Sequence, residues 1–232
     1  NMGKFIGALY LENKLIQEAF TEKNIRFLNL LTGQIAVSIE NANLYKLLEA
    51  KVEQRTQQLQ EEKLKLDQLL YNTFPKETVE ELKLHGKTTP RSYKNVTVMF
   101  ADFVGFSNIS STLNPEEIVS IIDLYFREFD KIIDEHSIEK IKTIGDAYMC
   151  VGGLPTPNST HAKDCVKAAL KMKAWTKKFN EENDALGKPS FKVRIGLHSG
   201  PVVSGVVGFK KFAFDVWGDT VNVASRMESG CL

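Results

Sequence analysis

Between Tyr45 and Leu70 the chain carries no proline and no glycine, and Glu, Gln, Lys and Leu dominate. Such a stretch has little conformational choice, because the two helix breakers are missing and strong helix formers take their place. Tyr45, Val52, Leu59 and Leu66 fall seven apart, the spacing of a coiled-coil seam. The companion positions are mixed: Leu48 and Leu69 are apolar, whereas Arg55 and Glu62 are not. A broken seam makes a weak zipper, which suits a helix that shifts register to pass a signal; a solvated single helix is the plainer alternative. Upstream, Phe5 to Leu11 reads as a short strand, and Ile25, Leu28, Leu31, Ile35, Ile39 and Ala42 mark one apolar helical face. So small a segment cannot bury that face alone. Downstream, Pro75 disfavours helical geometry at Phe74 and is expected to end or kink the long helix.

After a linker from Leu84 to Pro90, β-rich and helical stretches alternate. Val96 to Ala101 predicts a strand. Pro115 to Glu135 predicts a helix with Ile118, Ile121, Ile122, Tyr125, Phe126, Phe129 and Ile132 on one side. Lys140 to Val151 predicts a strand pair broken at Gly145-Asp146, Ala162 to Asn183 a helix, and Phe191 to Leu197, Val202 to Val207 and Phe212 to Val216 further strands. Asp219 to Glu228 predicts a last helix with Asp219 at its N-cap. The fold class is therefore α+β, a ferredoxin-like βαββαβ sandwich with helices on one face of a largely antiparallel sheet, preceded by a long helix or coiled coil.

Composition narrows the function classes. Thirty basic against 29 acidic residues give a net charge of +1, so no global field draws the chain to nucleic acid or to an anionic membrane. No apolar run approaches the ~20 residues that span a bilayer. Cys150, Cys165 and Cys231 lack metal-site spacing and read as reduced thiols of a cytoplasmic protein. The chain begins inside a strand-like stretch and stops just after a helical pattern, which reads as cut at both ends and leaves room for a sensor or a membrane anchor upstream.

Two aspartates stand out. Asp102 ends an apolar strand and precedes Phe103, Val104, Gly105, Phe106 and Ser107, where the chain turns; Asp146 sits at the tip of the strand pair. Two carboxylates brought together repel unless a cation lies between them, and hard oxygen ligands suit Mg²⁺ or Mn²⁺. Backbone amides around Gly105 could then cradle phosphate oxygens. Taken singly, either aspartate is more simply a turn residue.

The combination reads differently. FADFVGFS (Phe100–Ser107), KTIGDAYM (Lys142–Met149), RIGLHSG (Arg194–Gly200), GVVG (Gly205–Gly208) and DVWGDTVNVASRM (Asp215–Met227) resemble, in order, the catalytic domain of class III adenylate and guanylate cyclases. GALYLEN and QIAVSIENANLY resemble the last strand and helix of a GAF domain. The expected organisation is a GAF-like remnant over residues 1–45, a coiled-coil signalling helix and linker over 46–90, and the catalytic domain over 91–232.

The resemblance implies roles residue by residue. Asp102 and Asp146 match the metal-binding aspartates, two Mg²⁺ or Mn²⁺ per site, and Phe103 offers its backbone carbonyl. Lys142 and Asp215 match the pair that reads adenine, where guanylate-type members carry Glu and Cys; the implied substrate is ATP, with guanylate cyclase or a non-catalytic dimerising module as alternatives. Asn222 matches the residue that orients the ribose and Arg226 the one that stabilises the pentavalent transition state. His136 and His198 read as structural. Lys142 and Asp146 are four apart, up to ~13 Å if extended, which is awkward for one small site. In the family they serve opposite sites of a head-to-tail dimer, implying a homodimer with composite sites joined by a parallel coiled coil. Members usually continue into a strand pair carrying a triphosphate-binding lysine, which this chain, ending at Leu232, is expected to lack.

Overall fold

The computed structural model describes residues 5–16, 20–111, 113–208 and 210–231, with the backbone alone at residues 108 and 109. Residues 1–4 and 17–19 of the expected sensor remnant, and Leu232, lie outside the described residues. The chain divides into two compact units, Asn1–Leu69 and Leu70–Leu232.

In the first unit, residues 5–13 form neither helix nor strand, so the expected strand at Phe5–Leu11 is not made. A strand is held by its ladder, and no described segment pairs with this one. Helix α1 runs unbroken over Glu22–Tyr71, 50 residues, or ~75 Å at the usual rise. None of its residues is buried, and the seam residues Tyr45, Val52, Leu59 and Leu66 are all exposed.

In the second unit, Pro75 stands at the N-cap of α2 (Lys76–His85) with extended backbone, φ −55° and ψ 146°. The proline therefore separates two helices. The sheet follows: β1 (Arg91–Phe103), β2 (Ile138–Ile144), β3 (Ala147–Gly152), β4 (Val193–Val207) and β5 (Ala213–Trp217). Its order is β2-β3-β1-β4-β5, and every neighbouring pair is antiparallel. β1 is central. Val96, Val98 and Phe100 point to one core with Met149 and Val151, while Met99, Ala101 and Phe103 point to the other with Tyr148 and Cys150. Burial on both faces explains why this strand reads as a nearly continuous apolar run.

The two crossover helices cover one face. α4 (Pro115–Asp134) starts at a capping box between Asn114 and Glu117 and buries Tyr125, Phe129, Ile132 and Ile133. α5 (His161–Ala185) buries Cys165, Ala168 and Met172. The short α3 (Phe106–Ser110) links β1 to this layer. α6 (Asp219–Ser229) packs on the other face, with Ala224 beside Val202 and Val216.

Two local expectations are corrected. The strands expected at Phe191–Leu197 and Val202–Val207 are one strand, β4, which runs through Pro201. The β1–β4 register shifts between Tyr93 and Val96, opposite that proline, and a bulge is where a missing N–H is tolerated. The N-cap of α6 is Gly218 rather than Asp219, with no side-chain cap. No described helix is long and apolar enough to cross a membrane.

Candidate active site

The hairpin joining β2 to β3 closes with Ile144 opposite Ala147, so only Gly145 and Asp146 make the turn. Gly145 sits at φ +63°, a conformation glycine adopts without cost. Since β3 neighbours β1, this turn carries Asp146 to the end of β1, where Asp102 stands. Burial raises the Asp146 carboxyl above its ordinary value, and the adjacent Asp102 raises it further by charge and by hydrogen bond. The two expected carboxylates are thus together, and Asp102 makes Asp146 costlier to ionise.

Asp102 has a second partner. Nη2 of Arg194, on β4, donates to its Oδ2 at 2.7 Å, and the register places Asp102 opposite Arg194. Nε of the same guanidinium donates to Glu228 on α6. Glu228 is buried. Neither Arg194 nor Glu228 carries an expected role, although Arg194 lies inside one of the matched strings. A sequence signal for Glu228 exists: Thr220, Ala224 and Glu228 recur every fourth residue and form the buried stripe of α6.

The loop after β1 is anchored by aromatic packing. Phe103 is buried, with ring centroids 4.9 Å from Tyr125 and 5.3 Å from Phe191, so only its backbone is available to a ligand. Phe106 packs on Phe191 at 5.6 Å. The Val104 amide donates to the Lys192 carbonyl at 2.8 Å. That N–H belongs to the loop's own structure, and a phosphate cradle here has to use the amides beyond it, from Gly105 to Ser107.

Lys142 and Asp215 come from β2 and β5, the two outer strands, yet Lys142 Nζ donates to Asp215 Oδ2 at 2.6 Å. The twist of the sheet lets side chains from its two edges meet at this pair. The other Asp215 oxygen accepts the Val216 amide at 2.9 Å. Asn222 and Arg226 lie on the exposed side of α6. Arg226 makes no ion pair among the described residues, so its charge is not spent on the fold. Within one chain the expected residues thus fall into two groups: Asp102 with Asp146, and Lys142 with Asp215.

A family model described as the adenylate and guanylate cyclase catalytic domain matches residues 88–232. The chain belongs to this cyclase family. Among curated relatives, it is 41% identical over 183 residues to receptor-type guanylate cyclase gcy-5 of Caenorhabditis elegans, covering 78% of this chain but 16% of that protein. Among solved structures, the cyclase domain resembles the guanylate cyclase domain of RhGC from Catenaria anguillulae in complex with GTP, with a TM-score of 0.57 and 39% identity over 61% of this chain and 76% of that one. It also resembles the catalytic core of a rhodopsin-guanylyl cyclase with converted specificity in complex with ATPαS, with a TM-score of 0.56 and 37% identity over 62% of this chain and 77% of that one.

The paired aspartates suit the divalent cations of such a domain. Asp102 and Asp146 offer hard oxygen donors, and the Asp146 carboxyl, raised by burial first and then by the charge of Asp102, is one whose ionised form a cation would favour. Cys150 and Cys165 are free and buried, and burial pushes the Cys165 thiol up to about 12, which keeps it unreactive.

Proposed function

We propose that the cyclase domain converts ATP to 3′,5′-cyclic AMP and pyrophosphate. The observation that carries the choice of base is the Lys142–Asp215 pair. Lysine donates to the adenine ring nitrogen and aspartate accepts from the amino group, whereas guanine presents the opposite pattern. The pair is partly exposed, 39% for the Lys142 side chain and 16% for Asp215. An adenine edge entering between them would exchange one weak ion pair for two hydrogen bonds.

Whole-domain similarity favours the alternative, a guanylate cyclase: the curated relative and the GTP complex described above both carry that name. Identity at about 40% reports the shared scaffold, however, and substrate choice between two purines rests on a few polar contacts. A similar core with converted specificity, in complex with ATPαS, supports the view that one scaffold serves either base.

In the proposed reaction the ribose 3′ oxygen attacks the α-phosphorus in line and pyrophosphate leaves. Divalent cations, when bound, would acidify that hydroxyl and balance phosphate charge. Asp102, Asp146 and the Phe103 carbonyl would hold them, and amides from Gly105 to Ser107 would meet phosphate oxygens. Arg226 supplies fixed positive charge where negative charge develops, and Asn222, one helical turn before it, orients the ribose. We assign the two groups of residues to opposite sites of a head-to-tail homodimer. Helix α1, with no buried residue, would find its partner in a second copy as a parallel coiled coil. Residues 1–45 are proposed as the end of a GAF-like sensor and 46–90 as the signalling helix and linker.

The test is product formation from ATP and from GTP with Mg²⁺ or Mn²⁺, followed by the Lys142→Glu, Asp215→Cys double variant. Cyclic AMP should dominate in the native protein, and the double variant should shift the ATP-to-GTP ratio by roughly ten- to a hundredfold, the size of one good bidentate contact. A native preference for GTP establishes the alternative.

A further inference from the structure

Glu228 is a buried carboxylate on the helix that also carries Asn222 and Arg226, yet it faces the opposite way. It is 6% exposed. One carboxylate oxygen accepts a hydrogen bond from Nε of Arg194, and the other accepts from the Ser229 hydroxyl at 3.1 Å. Its place is set by backbone rather than by side-chain choice. A Cβ added at Gly196 of β4 would lie 2.0 Å from the Glu228 nitrogen and 2.7 Å from the Ala224 carbonyl oxygen, so α6 lies directly against the strand. From that fixed point Glu228 holds one edge of the guanidinium, whose other arm reaches Asp102 at 2.7 Å. The planar fork of arginine lets one cation serve two carboxylates at once, which a lysine ammonium does not reproduce.

We propose that Glu228 is a positioning residue for the cation site: by sharing Arg194 with Asp102, it sets how much negative charge Asp102 offers to a divalent cation. The inference rests on the reading of Asp102 and Asp146 as cation ligands. With Glu228 neutral, Arg194 turns its whole charge on Asp102 and opposes a cation there. With Arg194 removed as well, Asp102 is released and the opposition ends. Groups that contact ligands without touching the metal commonly change metal affinity by about tenfold or more.

The test is Mn²⁺ binding to the purified protein without nucleotide, followed by the electron paramagnetic resonance signal of free Mn²⁺, with circular dichroism confirming the fold. Glu228→Gln should weaken binding about tenfold. The Glu228→Gln, Arg194→Gln double variant should bind close to the native level, a rescue that a merely structural role for Glu228 does not predict. Native affinity in folded Glu228→Gln, or a double variant as weak as the single one, overturns the inference. Should Glu228→Gln not fold, Arg194→Gln decides: it should bind Mn²⁺ several-fold more tightly than the native protein, and unchanged or weaker binding overturns the proposal. Native binding that is absent, or unaffected by Asp102→Ala, overturns the cation reading and this inference with it.

Discussion

The cyclase domain holds two ionic clusters, and their construction differs. Lys142 and Asp215 are one base and one acid, brought from the two outer strands to 2.6 Å, with the lysine partly in solvent. The cluster at the end of β1 has three carboxylates, Asp102, Asp146 and Glu228, around the single guanidinium of Arg194. Three acids less one base leave it short of positive charge by two when all are ionised. The first cluster is neutral and open at one side, and can trade its internal bond for contacts to an uncharged ligand. The second is more enclosed and, with its acids ionised, holds more negative than positive charge, which is the basis for proposing that it takes a cation. Burial and charge deficit together raise Asp146, whereas burial with a matched partner is satisfied.

The largest expected effect comes from removing one of the two proposed cation ligands. Asp102→Ala or Asp146→Ala should lower cyclic nucleotide formation by roughly a thousandfold, because charge balance at the phosphates is the main catalytic lever in such chemistry. Product assays with circular dichroism on each variant check this. Near-native activity in either folded variant would show that the charge deficit plays no part in the reaction.

Glu139 sharpens the comparison, since it is a half-buried carboxylate near two acids, Glu77 and Asp134, and makes no ion pair among the described residues. Burial first, then the charges of Glu77 and Asp134, push its pKa up to about 7 from an ordinary value near 4.5. The folded state therefore holds the proton more tightly than the unfolded chain. Stability is fully present below the ordinary value and falls as pH rises towards about 7. Glu139→Gln removes this loss, and should stabilise the domain at pH ~8 by about 1–2 kcal/mol after discounting for partial exposure, with little effect near pH ~4.5. Urea unfolding at the two pH values measures it. An equal effect at both would mean that Glu139 does not titrate in this range.

Much of this architecture is legible in the residues. The continuous run Val96–Ala101 marks the central strand because both of its faces are buried, and α4 shows its apolar side because only one face is. Gly145-Asp146 announces a hairpin because a two-residue turn needs glycine or a similar residue. Other features depend on partners that a linear pattern does not display. Phe5–Leu11 has the composition of a strand but lacks a described neighbour to pair with. Pro201 looks like a strand break, yet it falls opposite a register shift. At the site, Asp102 and Asp146 are visible from their turns, and Lys142 and Asp215 only through resemblance, since nothing local says that the sheet edges meet. Arg194 and Glu228 pass unnoticed for a simpler reason: isolated charged residues usually lie in solvent, and only the stripe Thr220, Ala224, Glu228 marks the glutamate as buried.

Mixing defective subunits tests whether the two clusters serve one site or two. In the head-to-tail arrangement, Asp102 acts in one composite site, while Arg226, on α6 with Asn222, acts in the other. Asp102→Ala and Arg226→Ala homodimers should each be nearly inactive. In a mixed dimer one site receives both defects and the other neither. Equal mixing with free exchange makes half of the dimers mixed, so activity should recover to about a quarter of the native level by two-fold symmetry. Tagged subunits report the exchange, and cyclic nucleotide formation reports the recovery. A mixture as inactive as its parents, with exchange demonstrated, would place both clusters in a single site within one chain; the difference between them would then lie in what they bind, not in which site they serve.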